Sequence, residues 1–186
     1  MVSGGGPLVN RRCRVSPNAL LLTGGGGAGK TTIAQAIAGR LSTSGRATAM
    51  VDLDALAQFG PQPAPTGVLR FSDHLRIRNL AAVWQNFREA GAEYLIVSGP
   101  VITAIHRAAY TEVLSDCAVH VVRLLTPSAL IAERTSLTRP GWDLQAALDD
   151  AATHAAVEDF AVPNDGTPAA TAAGVLERLG WVSGDA

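Results

Sequence analysis

The chain has 186 residues, with 15 basic and 16 acidic side chains and a net charge of −1. That length fits one domain with a substantial core, and the near-neutral balance argues against a nucleic-acid binder. No apolar run approaches the roughly 20 residues of a membrane span, and Cys13 and Cys117 are too few for a disulfide framework or a zinc-ligand set, so a cytoplasmic protein without a nucleic-acid or membrane partner is expected.

Residues 1–17 carry Gly4-Gly5-Gly6, Arg11, Arg12 and Arg14 but lack the apolar stretch of a signal peptide. They read as a flexible leader ahead of a single domain over 18–182. From there, apolar runs alternate with longer amphipathic stretches, the pattern of βα units and a parallel sheet. In chain order the pattern predicts a strand at Ala19–Thr23, a helix at Lys30–Leu41 and a strand at Ala47–Leu53. Gly60–Gly67, with Pro61, Pro63 and Pro65, is a loop, because proline suits neither helix interior nor central strand. A helix over Ser72–Ala90 places Ile77, Leu80, Trp84 and Phe87 on one face, the spacing of a core stripe. A strand at Tyr94–Ser98, a helix at Ile102–Ser115 and a strand at Ala118–Leu124 come next. Helices at Pro127–Ser136 and Trp142–Val157, a short strand at Phe160–Val162 and a helix at Thr167–Leu179 complete the chain.

The basic residues are 14 arginines and one lysine, Lys30. Residues 1–139 hold 14 basic and 8 acidic groups, whereas 140–186 hold Arg178 and 8 acidic groups. An anionic ligand is therefore expected among the first three quarters of the chain.

Lys30 closes Gly24-Gly25-Gly26-Gly27-Ala28-Gly29-Lys30-Thr31-Thr32, a G-x-x-x-x-G-K-[ST] octapeptide with one further threonine, set between an apolar strand and a helix. Glycines let successive backbone N–H groups turn inward around phosphate oxygens. The helix start adds partial positive charge. The lysine is a mobile point charge for the β- and γ-phosphates, and the Thr31 hydroxyl is a magnesium ligand. ATP and Mg²⁺ are the expected cofactors.

Strand Tyr94–Ser98 runs into Gly99-Pro100 and lacks the magnesium-ordering aspartate common in motor ATPases and GTPases. No Asn-Lys-x-Asp guanine reader is present. The acids follow the second strand instead, at Val51-Asp52-Leu53-Asp54. In a parallel sheet the carboxyl ends of the strands share the ligand-binding edge. Asp52 and Asp54 are therefore expected near the phosphates, where one takes a proton from, or orients, an attacking hydroxyl and either holds Mg²⁺. Asp54 also fits a helix N-cap.

Asp52-Leu53-Asp54, then Phe71-Ser72, Arg76 and Asn79, resembles adenylylsulfate kinase, which reads Asp-Gly-Asp-Asn and Phe-Ser-x-x-Asp-Arg-x-Glu-Asn-x-Arg-Arg at these places. The resemblance continues at Ala90-Gly91, Ile96-Val97-Ser98 and Val162-Pro163-Asn164-Asp165-Gly166-Thr167-Pro168. The general frame is similar to shikimate, gluconate and chloramphenicol kinases. It implies a three-layer α/β fold of the nucleoside-monophosphate-kinase-like type, with a five-stranded parallel sheet ordered 2-3-1-4-5 and a short lid. It implies Asp52 as the acceptor-activating carboxylate with Asp54 beside it, Phe71 flanking the acceptor, and Arg76 and Asn79 binding it. Arg134 and Arg139 would occupy the lid, where arginine suits the charge on a transferring phosphoryl group. The loop Val162–Gly166, with Pro163 and Asn164, would lie against adenine.

The departures are Leu53, Ala55, Ala57, Leu75, Arg78 and Ala81-Ala82 at family positions. They remove three arginines from the acceptor side, so the expected acceptor is a hydroxyl of a less anionic small molecule. Alternatives are an adenylylsulfate or nucleoside-monophosphate kinase, with Arg70, Arg76 and Arg78 gripping a monophosphate, and a non-catalytic ATP-binding regulatory protein. His106 and His120 read as structural. Asp150, His154 and Glu158 share a helical spacing that suits an exposed acidic face better than a metal site. Trp142 is expected to cover the core beneath the lid.

Overall fold

The computed structural model describes residues 16–64, 67–138 and 157–181. Arg139, Trp142, Asp150, His154, Cys13 and nearly all of the expected leader and Trp142–Val157 helix lie outside these residues.

Five parallel strands form one sheet: β1 (Asn18–Thr23), β2 (Thr48–Asp52), β3 (Tyr94–Ser98), β4 (Ala118–Leu125) and β5 (Phe160–Pro163), in the order β2-β3-β1-β4-β5. This is the expected fold class. The central strand β1 is apolar at successive positions because both of its faces are covered. Alternation divides its leucines between two layers. Leu20 and Leu22 pack with Ile33, Ile37 and Leu41 of α1 (Lys30–Thr43) and with Val175 and Leu176 of α5 (Pro168–Leu179). Leu21 faces the opposite layer, with Leu80 and Trp84 of α2 (Phe71–Glu89) and Tyr110 of α3 (Ala104–Val113). Ile77 and Phe87 flank that layer half-buried, so the predicted α2 stripe is a core stripe. Removing the Leu21 side chain to alanine would cost about 2–5 kcal/mol.

Parallel register brings the carboxyl ends of the strands to one edge: Leu22 aligns with Ser98, Asp52 with Ser98, and Leu125 with Pro163. The loops that leave this edge, and the helices that follow them, carry the residues of the candidate site.

Element ends differ from expectation where caps decide them. Helix α3 starts at Ala104 because the Thr103 hydroxyl accepts the His106 N–H at 3.2 Å. Helix α4 (Ser128–Thr138) runs two residues beyond Ser136, since no breaker precedes Pro140. Arg134 therefore sits inside α4 rather than at its end. Glu158 lies outside the described helices. It lies just before β5 and pairs with Arg123 of β4. Among the described residues no group of His, Cys, Asp and Glu is arranged for a metal, and no helix is long and apolar enough to cross a membrane.

Candidate active site

The β1–α1 connection folds as a phosphate cradle. Gly29 occupies the N-cap of α1 at φ 83°, a left-handed conformation that favours glycine. Space argues the same way, because a Cβ there would meet Asn164 Nδ2 at 3.3 Å. No cap side chain and no acid lies in the first turn of α1, so its leading N–H groups keep their positive potential for an anion. Lys30 Nζ donates to the carbonyls of Gly24 and Gly25 at 2.9 and 3.0 Å. The ammonium thus rests on the rim of its own loop. A cavity of about 390 Å³ opens here, lined by Gly26, Gly27, Gly29, Lys30, Thr31, Thr32, Asp54, Arg134 and Thr135. Arg134 reaches it from α4, across the loop from Lys30.

The far side of the cradle is bolted to two other strand ends. Asn164, 2% exposed, follows β5. Its amide donates to the Ala28 carbonyl at 2.7 Å and to Thr126 Oγ1 at 3.2 Å, while its own oxygen accepts from Thr171 at 3.1 Å. Thr126, just past β4, donates to the same Ala28 carbonyl at 3.0 Å. A trans peptide directs its C=O and N–H to opposite sides. Two donors on the Ala28 oxygen therefore fix the Gly29 N–H on the other side of that peptide. The loop expected against adenine contains this buried clamp. Asn164 spends its side chain on the cradle, and Pro163 beside it is exposed.

On the other flank, Thr31 Oγ1 donates to Asp52 Oδ2 at 2.8 Å, and the Asp54 N–H donates to Asp52 Oδ1 at 2.9 Å. Both oxygens of Asp52 are thus engaged next to the cradle. Leu53, which stands where the resembled family has glycine, is fully buried against Gly99. A Cβ on Gly99 would lie 2.6 Å from that of Leu53, so the pair fits only with glycine at 99. Burial of Leu53 leaves its two neighbours toward solvent, and the Asp54 side chain is 65% exposed. Asp54 makes no side-chain cap to the following 3-10 turn, Ala55–Ala57. Asp54 holds the N-cap position of that turn, but its Oδ1 accepts from Arg76 Nη2 at 2.9 Å rather than capping a backbone N–H.

Arg76 continues inward. Its Nη1 donates to Asp73 Oδ1 at 2.9 Å, and Asp73 Oδ2 accepts the Arg70 N–H at 3.0 Å and lies 3.5 Å from His106 Nε2. The other nitrogen of His106 is 2.9 Å from the Thr103 hydroxyl. Burial alone would raise the Asp73 carboxyl. The Arg70 N–H, His106 and Arg76 outweigh it and hold Asp73 below the usual aspartate range. The Tyr110 hydroxyl is buried close to these charges, and desolvation pushes its pKa far up.

The expected acceptor residues divide. Phe71 stacks at a tilt on Phe59, ring centroids 5.4 Å apart. Asn79 donates to the Leu56 carbonyl at 2.6 Å, which pins the 3-10 turn below Asp54. Arg70, His74 and Arg78 recur four residues apart and are exposed, while Arg76, two positions off that stripe, turns inward. The expected arginine cluster is therefore not one grip. Asp73, Thr126 and Thr171 carry no sequence motif that marks them. Asp73 had one signal, three residues into a helix that starts at an Arg70 N-cap, but the cap residue was not a Ser or Thr that would have flagged it. Burial and the Asp116 carboxylate push the Cys117 thiol up to about 12, which disfavours the thiolate.

Residues 9–65, from ahead of β1 past Asp54, match the Zeta toxin family model. A tunicamycin resistance protein from Deinococcus radiodurans superposes with a TM-score of 0.61 at 17% identity, over 88% of this chain and 96% of that one. The chain has the P-loop kinase fold. The same frame is seen in an APS kinase from Mycobacterium tuberculosis bound to AMPPNP and APS, with a TM-score of 0.56 and 21% identity over 89% of this chain and 98% of that one. A shikimate kinase from Acinetobacter baumannii gives a TM-score of 0.57 and 20% identity, over 88% and 93% of the two chains. No curated protein matches the sequence significantly.

Proposed function

We propose that the chain is an ATP-dependent phosphotransferase that moves the γ-phosphoryl group onto a hydroxyl of a small molecule. The observation that carries this reading is the convergence of the P-loop, Arg134 and Asp54 on one cavity. A protein that only binds nucleotide needs the cradle. It does not need a carboxylate held by an arginine at the phosphate end of that cradle. The ATP analogue bound in the APS kinase of the same fold supports ATP as the donor.

The contacts support the following roles. Lys30 leaves the Gly24 and Gly25 carbonyls for the β- and γ-phosphates, and the cradle N–H groups hold the remaining oxygens. Thr31 and Asp52 offer paired hard oxygen donors beside the cradle, the chemistry Mg²⁺ takes, and would hold the ion. Mg²⁺ would supply charge compensation between the phosphates. Because Asp52 is engaged there, Asp54 takes the proton of the attacking hydroxyl in this reading. The acceptor oxygen bonds to the γ-phosphorus as the bond to the β–γ bridging oxygen breaks. ADP leaves with that electron pair, and the proton passes to Asp54. Arg134 stabilises charge on the equatorial oxygens, and the family resemblance gives Arg139 the same role. Phe71 and Arg76 border the acceptor. Arg76 acts by fixing Asp54, and Asn79 by fixing the turn beneath it. Pro163 lies toward the base.

The test is the rate of ADP formation with acceptor present in Asp54→Asn and Asp52→Asn. The reading expects Asp54→Asn to lose about 10²-fold or more in kcat. It expects Asp52→Asn to be partly restored by raised Mg²⁺. Full activity in Asp54→Asn would remove Asp54 from the chemistry.

A further inference from the structure

Arg76 is the inward-facing arginine of the acceptor flank, and its fork is already taken. One terminal nitrogen is held by Asp54 and the other by Asp73, each at 2.9 Å, and its Nε is buried without a partner among the described residues. An anionic substrate recognised by arginine uses two parallel N–H groups of that fork. Here a substrate carboxylate, sulfate or phosphate would have to displace a protein carboxylate to reach them. The flank carries the carboxylates Asp52, Asp54 and Asp73; Arg76 pairs with the last two and His106 lies 3.5 Å from Asp73, while Arg70, His74 and Arg78 are exposed on a different stripe of α2. An anion that reaches Arg76 must compete with Asp54 and Asp73 for the same N–H groups, which is a means of rejection. The connection that leads into this flank shows apolar groups to solvent instead: Phe59 is 57% exposed and stacks on Phe71, and Val68 is exposed on the same connection.

From this we infer that the Asp54–Arg76–Asp73 bridge excludes anionic acceptors, and that the substrate is a hydroxyl compound with an apolar body and no carboxylate, sulfate or phosphate. Arg76 and Asp73 are then specificity-setting positioning residues. The inference rests on the kinase reading and narrows it. It predicts selectivity from charge that is already neutralised inside the protein, rather than from an arginine offered to the ligand.

The experiment uses the full chain with Mg-ATP and reads kcat/KM for ADP formation over a size-matched acceptor panel. One arm holds uncharged aromatic and alicyclic alcohols. The other holds the corresponding hydroxy acids, sulfates and monophosphates. Wild type is expected to favour the uncharged arm by about 10²-fold, the discrimination that an unpaired or repelled polar group supplies. Asp73→Asn keeps an acceptor for the Arg70 N–H and releases one side of Arg76. It is expected to shift the anionic-to-neutral ratio upward by about tenfold, a change in ratio that general loss of structure does not produce. A best acceptor from the anionic arm overturns the inference and leaves the kinase reading standing. An unchanged ratio in folded Asp73→Asn also overturns it. ATP binding with no transfer to either arm overturns the kinase reading and the inference together.

Discussion

Two flanks of one sheet edge handle charge in opposite ways. On the nucleotide flank, Lys30 donates to two backbone carbonyls and the first turn of α1 holds no acid. On the acceptor flank, Arg76 is bound by two carboxylates, so its charge serves the protein. The comparison teaches that a basic residue near a site is not by itself an anion receptor. What counts is whether its donors are lent to carbonyls, which a phosphate readily replaces, or bound to carboxylates that replacement would strand.

The largest expected effect lies on the nucleotide flank. Lys30→Ala should lower kcat by about 10³-fold or more, since it removes a preorganised charge from the transition state. ADP formation at the wild-type rate in that variant would erase the contrast between the flanks. Lys30 is also the only lysine, so an amine-reactive reagent should label it and the α-amino group, and ATP should protect Lys30. Next comes the clamp behind the cradle. Asn164→Ala should reduce kcat/KM for ATP by about 10–10²-fold through misplacement of the Gly29 N–H. Thr126→Val, which removes the second donor, should do less, and Thr126→Ser should restore it. Nucleotide titration in each variant checks this, and unchanged ATP affinity in folded Asn164→Ala would show that Ala28 needs no clamp.

The smallest effect is on stability, on the acceptor flank. The folded pKa of Asp73 is depressed, so its contribution is present above the ordinary aspartate pKa and is lost as pH falls through the folded value. Asp73→Asn should therefore cost about 1 kcal/mol near neutrality, and the gap to wild type should close below about pH 4. Urea unfolding across that range would detect it. A gap independent of pH would mean that the ionised form of Asp73 is not what holds Arg76.

Much of this was legible in the sequence, for physical reasons that differ by residue. Strand β1 and the glycine loop announce themselves because a buried parallel strand must be apolar throughout and a phosphate cradle tolerates few side chains. The sheet order followed from the family resemblance and agrees with the structure. Asp52 and Asp54 lie at the expected strand edge, but what separates their surroundings is not readable from the sequence. It depends on Thr31 meeting Asp52 and on Arg76 meeting Asp54, contacts between residues 21 and 22 positions apart. The Asn164 clamp was hidden more deeply. Its partner is a backbone carbonyl 136 positions away, and a carbonyl leaves no mark in a sequence. Asp73 was hidden because helix start, ion pair and histidine contact all fall on one ordinary aspartate.

The central claim is that the P-loop cavity performs phosphoryl transfer rather than nucleotide binding alone. Phosphorus NMR of γ-labelled Mg-ATP with the acceptor panel follows the transferred group itself. The account predicts a phosphomonoester resonance growing in step with ADP in wild type, and no such resonance in Lys30→Ala. Tight ATP binding with no phosphomonoester from any acceptor, or the same resonance at the same rate in Lys30→Ala, would contradict it.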